Sequence, residues 1–218
     1  MKVSETFWLT VVGQIQNAFI AISVVLFFLV PKEKRQPYIQ LGLILVCSLI
    51  SEAIGWTGIF VFHRNMNLAP NLLTIAYLPL TVLLYRKQNN WKNGDFIAYP
   101  VIIAFTIFAV INLFFIQGVT GINSYSRALA SFLYIIMSIT YLFGYAAELP
   151  KEVRVKHPMY WISIAIVLYN SIVMYIVIWF EYVVDVLRSN LINMLIVHNM
   201  VGLGYYMVFW YAIKLMRR

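Results

Sequence analysis

Apolar residues fill seven long runs of this chain, and short polar segments separate the runs. Each run has about 20 residues, the length that an α-helix needs to cross a hydrocarbon core of about 30 Å. The pattern therefore predicts an all-α membrane protein whose single domain, residues 1–218, contains seven transmembrane helices. The predicted helices are residues 7–30, 37–62, 68–85, 96–116, 127–147, 158–180 and 190–214. The segment EYVVDVLRS, between the sixth and seventh runs, is expected to be an amphipathic connection.

Composition supports the membrane prediction. Hydrophobic residues make up 62% of the chain and charged residues 11%, whereas a soluble domain is about half apolar and about a quarter charged. Such a chain cannot cover its surface with polar groups, so we expect membrane lipid to be its surroundings. The single cysteine, Cys47, excludes an intramolecular disulfide. The net charge of +8 does not imply a nucleic-acid partner, because in a membrane protein the distribution of charge matters more than its sum.

Lysine and arginine alternate regularly between the two ends of the predicted bundle. From the N-terminus through six connections to the C-terminus, the segments carry 1, 3, 1, 3, 1, 3, 1 and 3 of them. One side thus has 4 and the other 12, with Arg127 counted beside the fourth connection on the poorer side. Because basic residues are retained in cytoplasmic loops, the N-terminus is predicted outside and the C-terminus in the cytoplasm.

Glu52 is the only acidic residue deep within a predicted helix. It lies about eleven residues from the outer end, or roughly 16 Å at 1.5 Å per residue. A carboxylate that faced lipid would cost several kcal/mol, so its face should point into the bundle. An ionisable residue at this depth indicates a functional site, and a proton or ligand site with His198 would follow if their faces meet.

Polar side chains on neighbouring helices, at comparable depth, complete the candidate ligand or proton site. They are Gln14, Asn17, Asn71, Tyr77, Tyr134, Asn170, His198 and Asn199. Packing is the alternative explanation, because buried amides and hydroxyls also hydrogen-bond between helices for modest gains. A neutral Glu52 bonded to one neighbour and a His198 satisfied within the core remain open as well.

A short internal similarity links the third and seventh predicted helices, where NLLTIAY resembles NMVGLGY. Both read Asn, five residues and Tyr, and both helices run from outside to inside. A parallel repeat of three helices joined by the fourth, a 3+1+3 arrangement, would place them equivalently.

The chain lacks residues that several classes of protein require. A retinal Schiff base needs a buried lysine, and the seventh run has only Lys214 at its cytoplasmic end. Three scattered histidines and one cysteine provide no spaced set of metal ligands. No phosphate-binding or nucleophile motif occurs. We therefore expect no enzyme activity and no cofactor.

The second half of the chain carries a resemblance. The stretches FIQG, NSYSR, HPMYWI and NMLIVHNMVGLGYYMVFWYAI resemble small seven-helix membrane proteins common in Bacteroidota. The resemblance implies a multi-pass protein of the bacterial inner (cytoplasmic) membrane. Some of those proteins look like the membrane half of histidine-kinase systems, which implies a cytoplasmic kinase or other signalling protein as partner. Where they carry an acid midway along the third helix, this chain has IAYLPLTV around Tyr77, so that role is missing here or has moved to Glu52.

Three functions compete on these grounds. A receptor or sensor suits a polar outer half, an apolar inner half and an unknown small ligand. A small-solute or proton-coupled transporter would use Glu52 as the coupling carboxylate and Pro79 as a helix breaker, but the inner half offers little polar lining. A lipid-acting enzyme has the least support. The receptor-like function is the one that the sequence favours.

Overall fold

A computed structural model describes residues 3–60, 68–88, 94–119, 121, 123–185 and 191–217. Within these ranges the chain is helical and contains no strand. Five of the described helical segments are long and apolar enough to cross a membrane, namely Thr10–Phe28, Lys32–Gly55, Phe96–Ile116, Ser124–Glu148 and Pro158–Trp179. The prediction of an all-α protein is confirmed, and these five segments suit a membrane-embedded chain.

Seven long helices lie at or near the predicted positions. They are α1 (Val3–Phe28), α2 (Ile39–Phe60), α3 (Leu68–Gln88), α4 (Gly94–Ile111), α5 (Ser124–Thr140), α6 (Pro158–Asp185) and α7 (Leu191–Arg217). A π-helical turn extends α4 over Asn112–Ile116, and another extends α5 over Tyr141–Tyr145. The short helix Ala146–Glu148 follows directly and ends this helical segment.

Several predicted boundaries are wrong, and polar helix ends are the common reason. The first helix begins at Val3 rather than residue 7, and α6 continues to Asp185, into the predicted connection. Short helices Lys32–Arg35 and Lys151–Arg154 occupy two predicted loops. Charged residues such as Lys and Glu are good helix formers, so a helix extends beyond its apolar run. The predicted ends at residues 62 and 190 lie outside the described residues.

Pro79 does not break its helix. It lies inside α3, which continues from Leu68 to Gln88. Proline removes one backbone hydrogen bond and crowds the preceding turn. Helix α3 packs against α2, α4 and α5. The transporter alternative used Pro79 as a helix breaker, and this part of the alternative is wrong.

Six of the helices form a closed ring, and α4 lies outside it. Going round the ring, α1 packs on α2, α2 on α3, α3 on α5, α5 on α6, α6 on α7, and α7 on α1. Helix α4 packs mainly against α3. The ring therefore encloses the interior of the bundle, and α4 covers part of its outer surface.

Hydrogen bonds between distant segments mark one end of the bundle. Lys34 Nζ donates to the carbonyl of Arg217 at 3.1 Å, and Lys87 Nζ donates to that of Gln36 at 2.8 Å. These bonds join the connection before α2 to the ends of α3 and α7. We call this the basic end, and the opposite end, where the first turn of α5 carries Arg127, the Arg127 end.

The outer surface of the helices is apolar. Phe96 is 85% exposed, Phe115 82% and Phe143 80%. Soluble monomers rarely expose such side chains in contiguous patches. These side chains carry no hydrophobic penalty when they are surrounded by lipid. Their exposure therefore agrees with the five apolar helical segments.

Two glycines set the close approach of α1 to its neighbours in the ring. A Cβ added at Gly42 of α2 would overlap the ring of Phe27, which is fully buried. A Cβ added at Gly202 of α7 would lie 2.9 Å from the side chain of Gln16. Small residues at such contacts let transmembrane helices approach closely, where van der Waals packing holds them together.

We expect the substitution Gly42→Ala to destabilise the protein by about 1–3 kcal/mol, the usual cost of overpacking a filled core. Thermal unfolding of the purified protein in a mild detergent would measure the change in Tm. Gly204→Ala in α7 is the matched control, since an added Cβ there meets nothing within 4 Å. The same Tm for both variants would contradict the tight packing of α1 on α2.

Candidate functional site

A cavity of about 240 Å³ lies inside the ring. Side chains from α1, α2, α3, α5, α6 and α7 line it, and no described residue of α4 does. The lining thus follows from the packing order, because only the six ring helices have an inward face. This cavity is the candidate functional site.

The part of the cavity near the Arg127 end is polar. Ser51 and Glu52 of α2, Arg127 of α5, Asn170 of α6 and His198 of α7 line it there. Glu52, Arg127 and His198 are partly exposed, whereas Asn170 is buried. A carboxyl group, a guanidinium and an imidazole from three helices therefore share one space. Such a set can hydrogen-bond a polar ligand and interact with its charge.

An aromatic wall formed by Tyr169, His198, Tyr205 and Phe209 covers the α6–α7 side. The rings of Tyr169 and Tyr205 are stacked, with centroids 4.5 Å apart. The Tyr205 and Phe209 centroids are 4.2 Å apart, and those of Tyr169 and His198 are 6.0 Å apart. Stacked rings are rigid and amphipathic, so this wall gives the cavity a fixed apolar face.

The cavity becomes apolar toward the basic end. Leu41, Leu45, Leu84 and Phe209 line it there, and each is at most 1% exposed. These four side chains form what we call the floor. Partly exposed polar residues thus line one part of the cavity, and buried apolar residues line the other.

Beneath the floor, a buried hydrogen-bonded group ties three helices together. The Tyr85 hydroxyl donates to Ser163 Oγ at 3.0 Å and shares a 2.6 Å hydrogen bond with Ser138 Oγ. All three residues are inaccessible to solvent, and so are the neighbouring Phe27 and Tyr141. Because α3, α5 and α6 each contribute one hydroxyl, the group joins three of the six ring helices between the cavity and the basic end.

Arg127 is positioned by a cluster of amides and hydroxyls at the junction of α4 and α5. We call Asn112, Gln117, Asn123, Ser124 and Ser126 the amide–serine cluster. Asn112 Nδ2 lies within hydrogen-bonding distance of three acceptors, Gln117 Oε1 at 2.9 Å, Ser126 Oγ at 3.0 Å and Asn123 Oδ1, which share its two N–H groups. Gln117 Nε2 donates to Ser124 Oγ at 2.5 Å. The cluster thereby fixes the first turn of α5.

Two further features hold this junction. Gly118 has a φ of 77°, a left-handed conformation that glycine adopts without strain, and it turns the chain after the π-helical end of α4. Asn71 Nδ2 donates to the carbonyl of Gly121 at 2.8 Å, and its Oδ1 accepts from the Asn123 N–H at 3.3 Å. The FIQG and NSYSR stretches, noted for their resemblance, thus build the turn that leads into Arg127.

Sequence reasoning missed Arg127 as a site residue, because it was counted with the loop charges. Its position on α5 was a usable signal. Arg127, Ser131, Tyr134 and Ser138 recur at the i, i+4, i+7 and i+11 positions of one helix face. The first three line the cavity, and Ser138 bonds Tyr85 beneath it.

The structure brings together five of the nine predicted site residues and separates the others. Those that line the cavity are Glu52, Tyr77, Tyr134, Asn170 and His198. Gln14 is exposed on α1, and its neighbour Gln16 lines the cavity instead. Asn71 belongs to the α4–α5 junction. Asn17 and Asn199 are not among the lining residues, so helical periodicity turns them away from the cavity.

Hydrogen bonds further define the lining. The Tyr77 hydroxyl donates to Ser48 Oγ at 3.1 Å, which joins α3 to α2 beside Glu52. Asn170 Nδ2 donates to the carbonyl of Ile166 within its own helix at 2.9 Å. Over the part of the chain that the structure describes, no three His, Cys, Asp or Glu side chains lie together as metal ligands do.

A histidine at the basic end has a perturbed protonation equilibrium. His157 lies between the short helix Lys151–Arg154 and α6, and its Nδ1 is 3.0 Å from the Tyr141 hydroxyl. Burial lowers the pKa of His157, since a partly desolvated imidazolium is disfavoured. The folded protein therefore binds fewer protons at this residue than the unfolded chain does.

Comparisons of the chain with protein-family models, curated proteins and solved structures gave no match. The candidate site is therefore interpreted from its own geometry.

We expect acidification from pH 7 to pH 5 to lower the Tm partly through His157. Its folded pKa lies below the unfolded value of about 6.5, so stability falls as the pH drops through that value and the unfolded state takes up a proton. The substitution His157→Gln should reduce the difference in Tm between the two pH values. The exposed Glu152→Gln is the control, and an unchanged pH dependence in H157Q would contradict the burial effect.

Proposed function

We propose that the chain is a receptor- or sensor-like membrane protein that binds a small ligand in the cavity of the ring. The observation that carries this proposal is the polarity of the cavity, which has partly exposed polar residues at the Arg127 end and buried apolar residues at the floor. In the proposal, a ligand reaches Glu52, Arg127 and His198 from the Arg127 end alone. Such one-sided access is what a receptor requires.

In this proposal all seven long helices span the bacterial inner membrane, with the basic end in the cytoplasm. The alternation of basic residues supports that orientation. The polar side chains Thr74, Tyr77 and Thr81 of α3 and His198 of α7 line the cavity, where they do not meet lipid.

A signalling protein needs a partner in this proposal. The short connections leave the exposed basic segments around Lys32, Lys34, Lys151 and Lys156 as the surface available in the cytoplasm. A kinase or other signalling protein docked there would respond to the packing of α3, α5 and α6 through the Tyr85 group. The resemblance to the membrane half of histidine-kinase systems agrees with such a partner.

A transporter of the 3+1+3 type is the alternative, and the order of the ring favours it. Pairing α1 with α5, α2 with α6 and α3 with α7 relates every contact round the ring to an equivalent contact. Tyr77 and Tyr205, equivalent in the NLLTIAY and NMVGLGY stretches, both line the cavity. A transporter must open the floor as well as the outer mouth, so access from the cytoplasm separates the two functions.

Thiol labelling from each side of the membrane tests the proposal. In a Cys47→Ser background, we expect Ser51→Cys to react with a membrane-impermeant thiol reagent from outside at least about tenfold faster than from inside. Leu45→Cys, at the floor, should react from neither side. Lys151→Cys is the orientation control and should react only in inside-out vesicles.

The opposite results would change either the proposed function or the proposed orientation. Labelling of Ser51→Cys at similar rates from both sides, or of Leu45→Cys from the cytoplasmic side, would favour the transporter. Labelling of Lys151→Cys from outside would reverse the orientation.

A further inference from the structure

We infer that the ligand of this cavity is a small amphiphilic acid, whose anionic head binds Arg127 and whose apolar chain extends toward the floor. This inference rests on the proposed function, because it names the class of ligand for the same cavity. It is carried by three features of the described residues: the buried, unpaired Nε of Arg127, the gradient of polarity along the cavity, and the size of the space.

Arg127 is a cation in the cavity wall with an unused hydrogen-bond donor. Its side chain lines the cavity, and its Nε is buried without a hydrogen-bond partner among the described residues. The amide–serine cluster and the bond from the Arg127 N–H to the Asn123 carbonyl, at 3.1 Å, fix the backbone from which this side chain extends. A guanidinium presents five donors in a planar fork that matches the oxygens of a carboxylate or phosphate.

Glu52 lines the same part of the cavity. An arginine side chain cannot lose its proton in a protein, so the guanidinium stays positively charged at every pH at which the protein is folded. Its buried Nε has no hydrogen-bond partner among the described residues, and an anionic ligand supplies both an acceptor and an opposite charge. These two properties of Arg127 favour an acid over an amine as the ligand.

The gradient of polarity along the cavity provides a place for an apolar chain. Below Arg127 the lining changes from Ser51 and Glu52 to Leu45 and Leu41 along α2. Glu52 and Leu41 are separated by eleven positions, or about 16 Å of helix. A ligand with a charged head and an unbranched apolar body would bury its body along this length. Burial of each methylene group contributes favourably to binding.

The volume restricts the length of that chain. A cavity of about 240 Å³ lies near the lower end of the range of about 300–1,000 Å³ that is usual for ligand pockets. A ligand with one short chain suits this volume better than a phospholipid with two acyl chains. We therefore propose a single-chain acid of medium length.

Binding of three decyl compounds to the purified full-length protein in nanodiscs tests this inference by isothermal titration calorimetry. The compounds are decanoate, decanol and decylamine, which share one chain and differ in their heads; decyl phosphate tests whether the head is recognised as a carboxylate or as an oxyanion in general. Empty nanodiscs correct for partition into lipid. We expect decanoate to bind at least about tenfold more tightly than decanol, and decylamine to bind no better than decanol.

Variants locate the head. In Arg127→Gln, decanoate should bind no better than decanol, while Arg127→Lys should keep part of the preference. Lys151→Gln is the matched control for a basic residue exposed at the opposite end, and it should leave all affinities unchanged. Glu52→Gln should retain or increase the affinity for decanoate, since it removes a negative charge from the same part of the cavity.

A variant of the floor tests the chain independently of Arg127. Leu45→Phe should shorten the preferred chain, so that octanoate binds better than decanoate. This readout remains if Arg127→Gln fails to fold, and a Tm near that of the wild type would show that Leu45→Phe is folded.

Four results would overturn the inference. They are equal affinities for decanoate and decanol, unchanged binding in Arg127→Gln, tighter binding of decylamine that is lost in Glu52→Gln, and no binding of any decyl compound. If Ser51→Cys is nevertheless labelled only from outside, the receptor-like function stands and only the ligand class is wrong. If that labelling also fails, both proposals fall.

Discussion

The ring has an apolar exterior, so the polar side chains that its helices carry must be satisfied inside the ring or at its two ends. This constraint explains why the bundle is organised around a cavity. Glu52, Arg127 and His198 come from three different helices and meet in one space. Other polar groups satisfy one another, as Tyr85 does with Ser138 and Ser163. A group that faced lipid without a partner would cost several kcal/mol.

Two polar clusters have different roles in this arrangement. The amide–serine cluster joins the end of α4 to the first turn of α5 and so positions Arg127 at the cavity. The Tyr85 group joins three of the six ring helices on the other side of the floor. Between them lies the cavity. In the proposed function, the Tyr85 group is one route by which a change caused by a ligand would reach the basic end.

Much of the fold could be predicted from the apolar runs, because the length of each run matches the thickness of a membrane. The positions of seven long helices agree with the prediction to within a few residues at most ends. The helix ends at Val3 and Asp185 were missed, since charged residues extend a helix beyond its apolar part. The position of α4 outside the ring was not predictable, because apolar helices inside and outside a ring look alike in sequence.

The candidate site was predictable only in part, for a related reason. Depth along a helix can be counted from the sequence, and it singled out Glu52, Asn170 and His198, which line one cavity. The direction in which a side chain points from its helix axis, toward the cavity or away from it, depends on how the neighbouring helices pack. That is why Gln16 rather than Gln14 lines the cavity and why Asn71 serves a junction. Arg127 escaped notice because a basic residue at a helix end is expected on topological grounds alone.

An experimental structure of the protein in lipid nanodiscs, at a resolution that reveals ordered water and bound lipid, tests the central claim most directly. The account predicts a cavity that opens beside Arg127, contains water or a single-chain molecule at the guanidinium, and ends at Leu45, Leu84 and Phe209. An interior in which Glu52 and Arg127 are paired with no space between the helices would contradict the account. So would a passage that continues past Tyr85 to the basic end.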